Sequence, residues 1–438
     1  MGTLFADATT TLLLRALTFS SLLASTVLVS RALGPDGRGT YFLVVMAATT
    51  VAMIAQFGLP QANVFLRATR NVSVQAVAGQ NALVAAASGV LAAAFVPLAP
   101  MALPGLFIDV PHSYLILGAA TIPFVLHTQL TAGLQLLEHR VAWSLVAALV
   151  GGAAHLALLA AMAAAGVLDI TSALVANLLA LIAIWLLTIA PPNLPGRSLP
   201  RWDTKLLRET VRQSMLIHAG MLLLFLHLRV DVFFVKGIAG SAALGIYSLA
   251  VVLAETAIQA TDGLSIALVP RQLKNALAEA ASQAVRMGRL NALTGLLVGL
   301  AWAATGWLVI PVLFGPEFAG AYVPLLLLLP GMIAFGVQRL TGPVVLRSGR
   351  SDLLVLFNGA ALGLSVALDL LLIAPFGPAG AAMASSISYI VSALLFVGWT
   401  IRVAPGTRFT DLLPRLSDLV LLTDMPRRIA AKRRSRHE

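Results

Sequence analysis

The feature that most constrains this fold is a series of apolar runs, each about 18 to 25 residues long, separated by short polar stretches. A run of about 20 apolar residues crosses the hydrocarbon core of a bilayer as an α-helix. Charged residues make up only 11% of the chain, against about 25% in a soluble domain, so polar surface cannot cover a water-soluble globule. The runs are also too long for the alternating strands of an outer-membrane barrel. The sequence therefore predicts an all-α polytopic membrane protein.

Twelve of these runs predict transmembrane helices, which divide the chain into two halves of six. Their expected bounds are 10–31, 40–66, 79–103, 113–136, 141–165, 170–190, 213–236, 241–269, 288–312, 322–346, 352–375 and 379–402. The first run contains Arg15 and exceeds the apolar core of a signal peptide in length, so we expect a retained helix. The predicted domains are an N-terminal six-helix bundle at 1–195, a cytoplasmic linker at 196–212, a C-terminal six-helix bundle at 213–402 and a basic tail at 403–438.

Basic residues predict the orientation of these helices. With both termini on one side, as an even number of crossings requires, 22 of the 29 lysines and arginines lie on that side. Only Arg31, Arg38 and Lys236 lie on the other side, and four arginines lie within or at the ends of helices. Since basic loops stay in the cytoplasm, both termini are predicted to be cytoplasmic, in a bacterial inner membrane. The net charge of +11 thus indicates orientation and binding to anionic lipid, and we expect no nucleic acid partner.

The two halves resemble each other in sequence. Short matches recur in the same order at offsets of 205 to 210 residues. They include Gly39-Thr-Tyr41 with Gly245-Ile-Tyr247, Leu106-Phe107 with Leu313-Phe314, and Pro123 with Pro330. Because each half has an even number of helices, this is a parallel internal repeat about an axis along the membrane normal, and such transporters bind substrate between their halves. We expect Pro123 and Pro330 to act as hinges beside a central site, or only to bend their helices.

Charged side chains within the membrane are the candidates for function, since each costs about 2.5–3.5 kcal/mol at a helix centre. Arg15, Arg229, Arg339 and His218 are predicted to be the cations of a central cavity. For Arg15 the alternative is a side chain that reaches back to the cytoplasmic interface, because it lies only a turn or two from the helix start.

Acidic side chains form a second set of candidates. Glu255 and Asp262 are seven residues apart on one face of one helix, where they can balance the intramembrane arginines or bind protons. Asp231 and Asp369 lie in two other helices, and we expect them to serve ion coupling or charge balance.

Hydroxyls line one face of the last helix at spacings of i, i+3, i+4 and i+7. They belong to Ser385, Ser388, Tyr389 and Ser392. Such a face can hydrogen-bond sugars, or it can let neighbouring helices pack closely through small residues.

The sequence contains no motif for a cofactor, a metal or covalent catalysis. It lacks a phosphate-binding loop, a zinc-binding HExxH pattern and a serine nucleophile elbow. It also has no cysteine, which excludes thiol catalysis and thiolate metal sites. We therefore expect a secondary transporter and not an enzyme, with neither cofactor nor metal, driven by an ion gradient, the membrane potential or substrate disequilibrium.

Several segments, in a fixed order, carry a resemblance to a known family. They are Arg31-Ala-Leu-Gly-Pro-Asp-Gly-Arg-Gly-Thr-Tyr41, Phe57-Gly-Leu-Pro60, Arg229-Val-Asp231, Leu244-Gly-Ile-Tyr-Ser-Leu-Ala250, Glu255, Pro270-Arg271, Leu313-Phe-Gly-Pro-Glu-Phe318 and Leu328-Leu-Pro330. Over nearly its whole length the chain resembles the oligosaccharide and polysaccharide flippases of the multidrug/oligosaccharidyl-lipid/polysaccharide (MOP) exporter superfamily. The resemblance implies a MATE-like fold, in which two six-helix bundles form a V around a central cavity.

The resemblance also implies a function. Such a flippase moves a lipid-linked (polyprenyl-pyrophosphate) oligosaccharide from the inner to the outer leaflet by alternating access, for the biosynthesis of surface polysaccharide or lipopolysaccharide. An anionic pyrophosphate accounts for cavity arginines, because a guanidinium binds phosphate in a bidentate manner. A polysaccharide polymerase or glycosyltransferases would be partners, and the basic tail would dock one of them or lie on anionic lipid. Two alternatives stay open: a cation-coupled multidrug antiporter of the same superfamily, and a non-transporting membrane scaffold of a polysaccharide assembly complex.

Overall fold

The computed structural model describes residues 2–60, 74–107, 109–137, 141–189, 204–259, 276–415 and 418, and these ranges are mostly helical, with no strand. Within them, the helices of nine or more residues are numbered α1 to α11. They are α1 (Gly2–Ala55), α2 (Val74–Phe95), α3 (His112–Ala120), α4 (Ile122–Leu137), α5 (Val141–Ala164), α6 (Ile170–Ile189), α7 (Thr204–Ala254), α8 (Leu277–Phe314), α9 (Tyr322–Arg347), α10 (Ser351–Phe376) and α11 (Pro378–Arg402). Short helical turns lie between or after them, at Val96–Leu98, Ala99–Ala102, Pro104–Phe107, Thr256–Gln259, Pro316–Ala321 and Phe409–Leu412.

Ten helical segments in the described ranges are long and apolar enough to cross a membrane. Two of them, Leu13–Ala55 with 43 residues and Ser214–Gln259 with 46, are about 65 to 70 Å long, roughly twice the hydrocarbon thickness of about 30 Å. Each is kinked at a glycine with a left-handed backbone, Gly34 (φ 62°) and Gly240 (φ 87°), where a side chain would be strained. Each of the two therefore supplies two crossings. The described residues thus contain twelve crossing segments, and the predicted all-α polytopic membrane fold is confirmed.

The internal repeat is present in the backbone and in the side chains. The two kink glycines are 206 residues apart and share one conformation, with ψ −176° and 179°. Between α2 and α4, Asn81 Nδ2 donates to Leu130 O at 3.0 Å, and between α8 and α9, Asn291 Nδ2 donates to Gly336 O at 2.7 Å. Because α8 and α9 are the counterparts of α2 and α4, the same interhelical hydrogen bond occurs once in each half.

The halves meet chiefly where α1 packs against α7. The largest cluster of buried apolar side chains crosses this boundary, and it joins Leu43 and Leu115 to Tyr247, Phe314 and Leu325. All five lie near helix ends that the arginine distribution assigns to the side away from the cytoplasm. The same cluster continues toward the opposite side of the membrane, to Leu59 and Leu130, so one apolar core joins the two halves over most of the membrane span.

The second and fourth predicted helices end or break for local reasons. The second ends with α1 at Ala55 and not at residue 66, because Phe57 (φ 49°) and Gly58 (φ 69°) adopt left-handed backbone. Residues 61–66 lie outside the described ranges. The fourth is divided at Thr121 into α3 and α4, and Pro123 follows in the first turn of α4, where its missing N–H costs least. Its counterpart Pro330 lies inside the continuous helix α9.

Two other helices begin earlier than predicted. Helix α8 starts at Leu277 and not at residue 288, so Arg286 and Arg289, which were expected in a loop, are helical. Likewise α7 starts at Thr204, within the predicted linker. Both helices therefore extend beyond the apolar runs on the side predicted to be cytoplasmic.

Candidate functional site

The halves approach most closely at a crossing between α1 and α7. A Cβ atom added at Gly39 would lie 1.9 Å from Ser241 O, and one added at Gly245 would lie 1.9 Å from Pro35 O. The two contacts are counterparts in the internal repeat. The two glycines are 206 residues apart, and so are the residues they contact, Pro35 and Ser241. Only glycine allows the backbones to approach this closely. The glycine matches found in the sequence therefore lie at the boundary between the halves.

Two arginines bridge the halves at the same level. Arg31 donates from Nε to Leu313 O at 2.8 Å and from Nη2 to Val312 O at 2.5 Å, which are carbonyls at the C-terminal end of α8. Such carbonyls attract a cation. Arg38 is buried and donates from Nε to Ser248 Oγ at 3.1 Å. We refer to Arg31, Arg38, Gly39 and Gly245, with their contacts across the halves, as the outer junction.

A third basic residue lies beside the outer junction. Lys236 Nζ is 4.0 Å from Asp109 Oδ2 in the other half, and it donates to Ser241 Oγ. From the sequence, Arg31, Arg38 and Lys236 were identified only as the three basic residues predicted to lie outside the cytoplasmic side. Their contacts between the two halves were not predicted. The available signal was that all three cations lie at helix ends on one side of the membrane.

Arg229 and Glu255 form an ion pair at membrane depth. The Arg229 Nη2 atom is 2.7 Å from Glu255 Oε1, and the two side chains are 24% and 28% exposed. Arg229 lies eleven residues before the kink of α7, about 16 Å along the helix, so the pair is well inside the span. Glu255 thus balances the arginine charge while leaving part of the guanidinium accessible.

Asp231 is turned away from this pair and buried among hydroxyls. Its Oδ2 atom accepts a hydrogen bond from Tyr247, and another from Ser385 Oγ at 3.0 Å. Its Oδ1 atom accepts from the Val232 backbone N–H at 2.8 Å. The carboxylate therefore joins the two parts of α7 to α11 through hydrogen bonds.

Asp369 on α10 is fully buried and interacts electrostatically with Asp231. Ser365, one turn earlier, lies beside the Asp369 carboxylate, but neither side chain makes a hydrogen bond of normal geometry within the described part of the chain. Two neighbouring buried carboxylates repel each other unless a proton or a cation neutralises one of them. Carboxylate and hydroxyl oxygens are also the ligands that small hard cations prefer. The arrangement can therefore hold a proton or such a cation between α7, α10 and α11.

The four hydroxyls predicted as sugar contacts are all buried. Ser385, Ser388 and Ser392 are 0% exposed and Tyr389 is 1% exposed. Ser388 Oγ is 3.0 Å from His227 Nε2, and the Tyr389 ring packs edge-on against the same histidine, with 5.0 Å between centroids. In this conformation all four are buried between helices, as close helix packing requires, and their role as sugar contacts stays a prediction.

The other predicted site residues lie apart from one another. His218 is buried against the end of the second helix, where it lies beside Gly58. Arg15 is half-buried on α1, and Arg339 is exposed on α9. Asp262 lies outside the described residues.

Comparison with known proteins shows the family. The family model for polysaccharide biosynthesis proteins matches residues 8–274, which is more than half of the chain. The chain belongs to the polysaccharide biosynthesis protein family. A search of curated proteins gives no match. In this polysaccharide biosynthesis protein, the matched region includes both kink glycines and the Arg229–Glu255 pair.

Solved membrane transporter structures share the fold of this polysaccharide biosynthesis protein. An inward-facing multidrug resistance MATE family transporter of the MOP superfamily is 15% identical, with a TM-score of 0.62 over 90% of this chain and 98% of that one. The lipid II flippase MurJ, in an inward closed conformation, is 13% identical, with a TM-score of 0.69 over 93% and 89%. A MOP superfamily transporter from Pyrococcus furiosus, whose binding pocket has reverse polarity, is 14% identical, with a TM-score of 0.59 over 90% and 94%. The predicted MATE-like fold is confirmed.

Proposed function

We propose that this protein is a flippase for a lipid-linked oligosaccharide carried on a polyprenyl pyrophosphate. The family takes part in polysaccharide biosynthesis, and its MOP superfamily fold is that of transporters and flippases. The observation that supports the anionic substrate is Arg229, a cation held at membrane depth by Glu255 and still about a quarter exposed. An arginine in the membrane interior is costly unless function or structure requires it.

The chemistry of the guanidinium suits a phosphate. Arginine has five N–H donors in a planar fork, and the contact with Glu255 uses the Nη2 atom. The remaining donors can bind two phosphate oxygens at once. Arg15 and Arg339 would add positive charge along the path of the headgroup, whereas the sugars would depend on many weaker contacts.

The outer junction supports entry from the opposite side. Because the outer junction joins α1 and α7 on the side away from the termini, we expect the headgroup to enter from the side predicted to be cytoplasmic. Release then requires the outer junction to separate, as in alternating access between two repeats. We place the protein in a bacterial inner membrane with both termini in the cytoplasm.

The test replaces the membrane arginine in cells whose surface polysaccharide depends on this protein. Arg229→Gln should cause lipid-linked precursor to accumulate in the inner leaflet and should lower surface polysaccharide about ten- to a hundredfold, the loss expected for one charge-assisted hydrogen bond. Arg208→Gln is the matched control, an exposed arginine at the start of α7, and it should leave export unchanged. Full export by a variant lacking Arg15, Arg229 and Arg339 together would overturn the proposal.

The buried carboxylates favour one second candidate, a cation-coupled antiporter for drugs. Asp231 and Asp369 could exchange a proton or a metal cation for a cationic compound. Efflux of a cationic dye that stops in the Asp369→Asn variant, in cells with normal polysaccharide export, would favour the antiporter over the flippase.

A further inference from the structure

A polar pocket lies at the side predicted to be cytoplasmic, away from the candidate site. Its volume is about 450 Å³, within the usual range for ligand sites. One wall is the second to fourth turns of α8, with Ser282, Arg286 and Arg289, and the other wall is the segment after α11. That segment contributes Pro405, Gly406, Thr407, Asp411 and Arg415.

The pocket has more positive than negative charge. Arg289 is 2.8 Å from the buried Asp418, and Arg415 is 2.9 Å from Asp411, so two arginines are paired. Arg286 is exposed and has no ion-pair partner among the residues that the structure describes. The Nε atom of Arg289 is buried and lacks a hydrogen-bond acceptor in the same set of residues. One unpaired guanidinium, that of Arg286, therefore lines the cavity beside two paired arginines.

The surroundings of the pocket are those of a membrane interface. The 38 residues of α8 extend over about 57 Å, beyond the hydrocarbon thickness of about 30 Å, so its first turns lie outside the apolar layer. Two apolar side chains in the segment after α11 are exposed beside the pocket, Phe409 at 51% and Leu413 at 62%. Exposed apolar groups next to arginines suit the boundary between acyl chains and headgroups.

We propose that this pocket binds the phosphate of an anionic phospholipid headgroup in the leaflet predicted to be cytoplasmic. The exposed guanidinium of Arg286 donates to the phosphate oxygens, and the hydroxyls of Ser282 and Thr407 lie in the same pocket. Phe409 and Leu413 contact the acyl chains of the same lipid. The bound lipid joins the segment after α11 to α8, and this role is independent of the proposed flippase substrate.

The experiment titrates lipids onto the full-length protein in detergent and counts bound molecules by native mass spectrometry. Phosphatidylglycerol should bind more tightly than phosphatidylcholine, which carries the same phosphate with a compensating cation. Arg286→Gln should weaken phosphatidylglycerol binding about fivefold, since the side chain is exposed and its contact is worth about 1 kcal/mol. Arg208→Gln, which removes an exposed arginine on the same predicted side, should bind phosphatidylglycerol like the natural chain.

Three results would overturn the proposal. The first is unchanged phosphatidylglycerol binding in Arg286→Gln and in the charge reversal Arg286→Glu. The second is an equal loss in Arg208→Gln, which would show a diffuse effect of surface charge. The third is displacement of phosphatidylglycerol by inorganic phosphate, which would make the ligand a soluble anion and not a lipid.

Discussion

At the scale of single residues, the membrane interior decides which charges can coexist. Arg229 and Asp231 are two residues apart on α7, so their side chains point to different faces, and each has its own partners. Arg229 is paired with Glu255 and stays partly exposed, whereas Asp231 is enclosed by Tyr247 and Ser385. One helix thus supplies an accessible cation and a buried anion.

The buried carboxylates should couple transport to an ion. In vesicles, the natural protein should respond to a proton gradient, a sodium gradient or the membrane potential. Asp369→Asn should remove that response, because an amide can neither bind a proton nor neutralise a cation between α7, α10 and α11. The measurement is precursor translocation with an ionophore that collapses each gradient in turn.

The control for this experiment is on the same helix. Asp352→Asn removes an exposed carboxylate of α10 that is paired with Arg350 at 2.7 Å, and it should keep the response. An Asp369→Asn variant that responds to every gradient like the natural protein would contradict the coupling role.

At the scale of elements, the kinked helices α1 and α7 carry the contact between the halves. The left-handed glycines Gly34 and Gly240 let the backbone of each helix turn between two membrane crossings without a loop. The nearby Gly39 and Gly245 allow the backbones of the two helices to touch. Counterpart residues make both contacts, so the crossing has local twofold symmetry. Arg38 breaks that symmetry, because its counterpart at residue 244 is a leucine.

Adding a methyl group at either glycine should destabilise this crossing. Gly39→Ala and Gly245→Ala each place a Cβ atom 1.9 Å from a carbonyl oxygen, so the helices must separate. Overpacking of this kind costs about 1–3 kcal/mol, and the unfolding temperature in detergent should fall for both variants.

Gly363→Ala in α10 is the matched control, since nothing lies within 4 Å of the added atom. It should unfold at the same or a higher temperature, because alanine favours a helix over glycine by about 1 kcal/mol. Equal unfolding temperatures for all three variants and the natural chain would refute the close crossing.

At the scale of the whole molecule, two similar halves meet at the outer junction, to which both repeats contribute equivalent segments at one end of the helices. The buried apolar cluster joins the halves along much of the remaining span. Alternating access between two such halves, as we propose, requires the contacts of the outer junction to separate in the other state. The outer junction is therefore the part of the molecule whose opening should limit release of cargo.

A cross-link at the outer junction should stop transport. The chain has no cysteine, so Asp109→Cys with Lys236→Cys introduces the only thiols, at two positions whose natural side chains approach to 4.0 Å between Nζ and Oδ2. A short cleavable thiol cross-linker should abolish translocation, and cleavage should restore it. Each single-cysteine variant, treated in the same way, should stay active. Translocation that continues in the cross-linked protein would show that the junction does not open.

The sequence predicts much of this fold because a bilayer imposes simple rules. Hydrocarbon thickness sets the length of apolar runs, and twelve runs correspond to twelve crossing segments. The glycine and tyrosine matches predict the repeat, which the backbone of both halves shows. Helix ends were less predictable, as at Ala55 and Leu277, because hydropathy does not register a left-handed residue or a helix that continues into the polar layer.

The candidate site depended on contacts between residues far apart in the chain. The sequence by itself identified Arg229, Glu255, Asp231 and Asp369 as charges that need partners, since isolated charge in a membrane is unfavourable. Only the tertiary structure decided that Glu255 faces Arg229, that Asp231 faces Tyr247 and Ser385, and that the serine face of α11 is buried. The length of an apolar run is a local property, so it can be read directly from the sequence. The pairing of charges depends on how kinked helices rotate and cross, and that is determined by packing over the whole molecule.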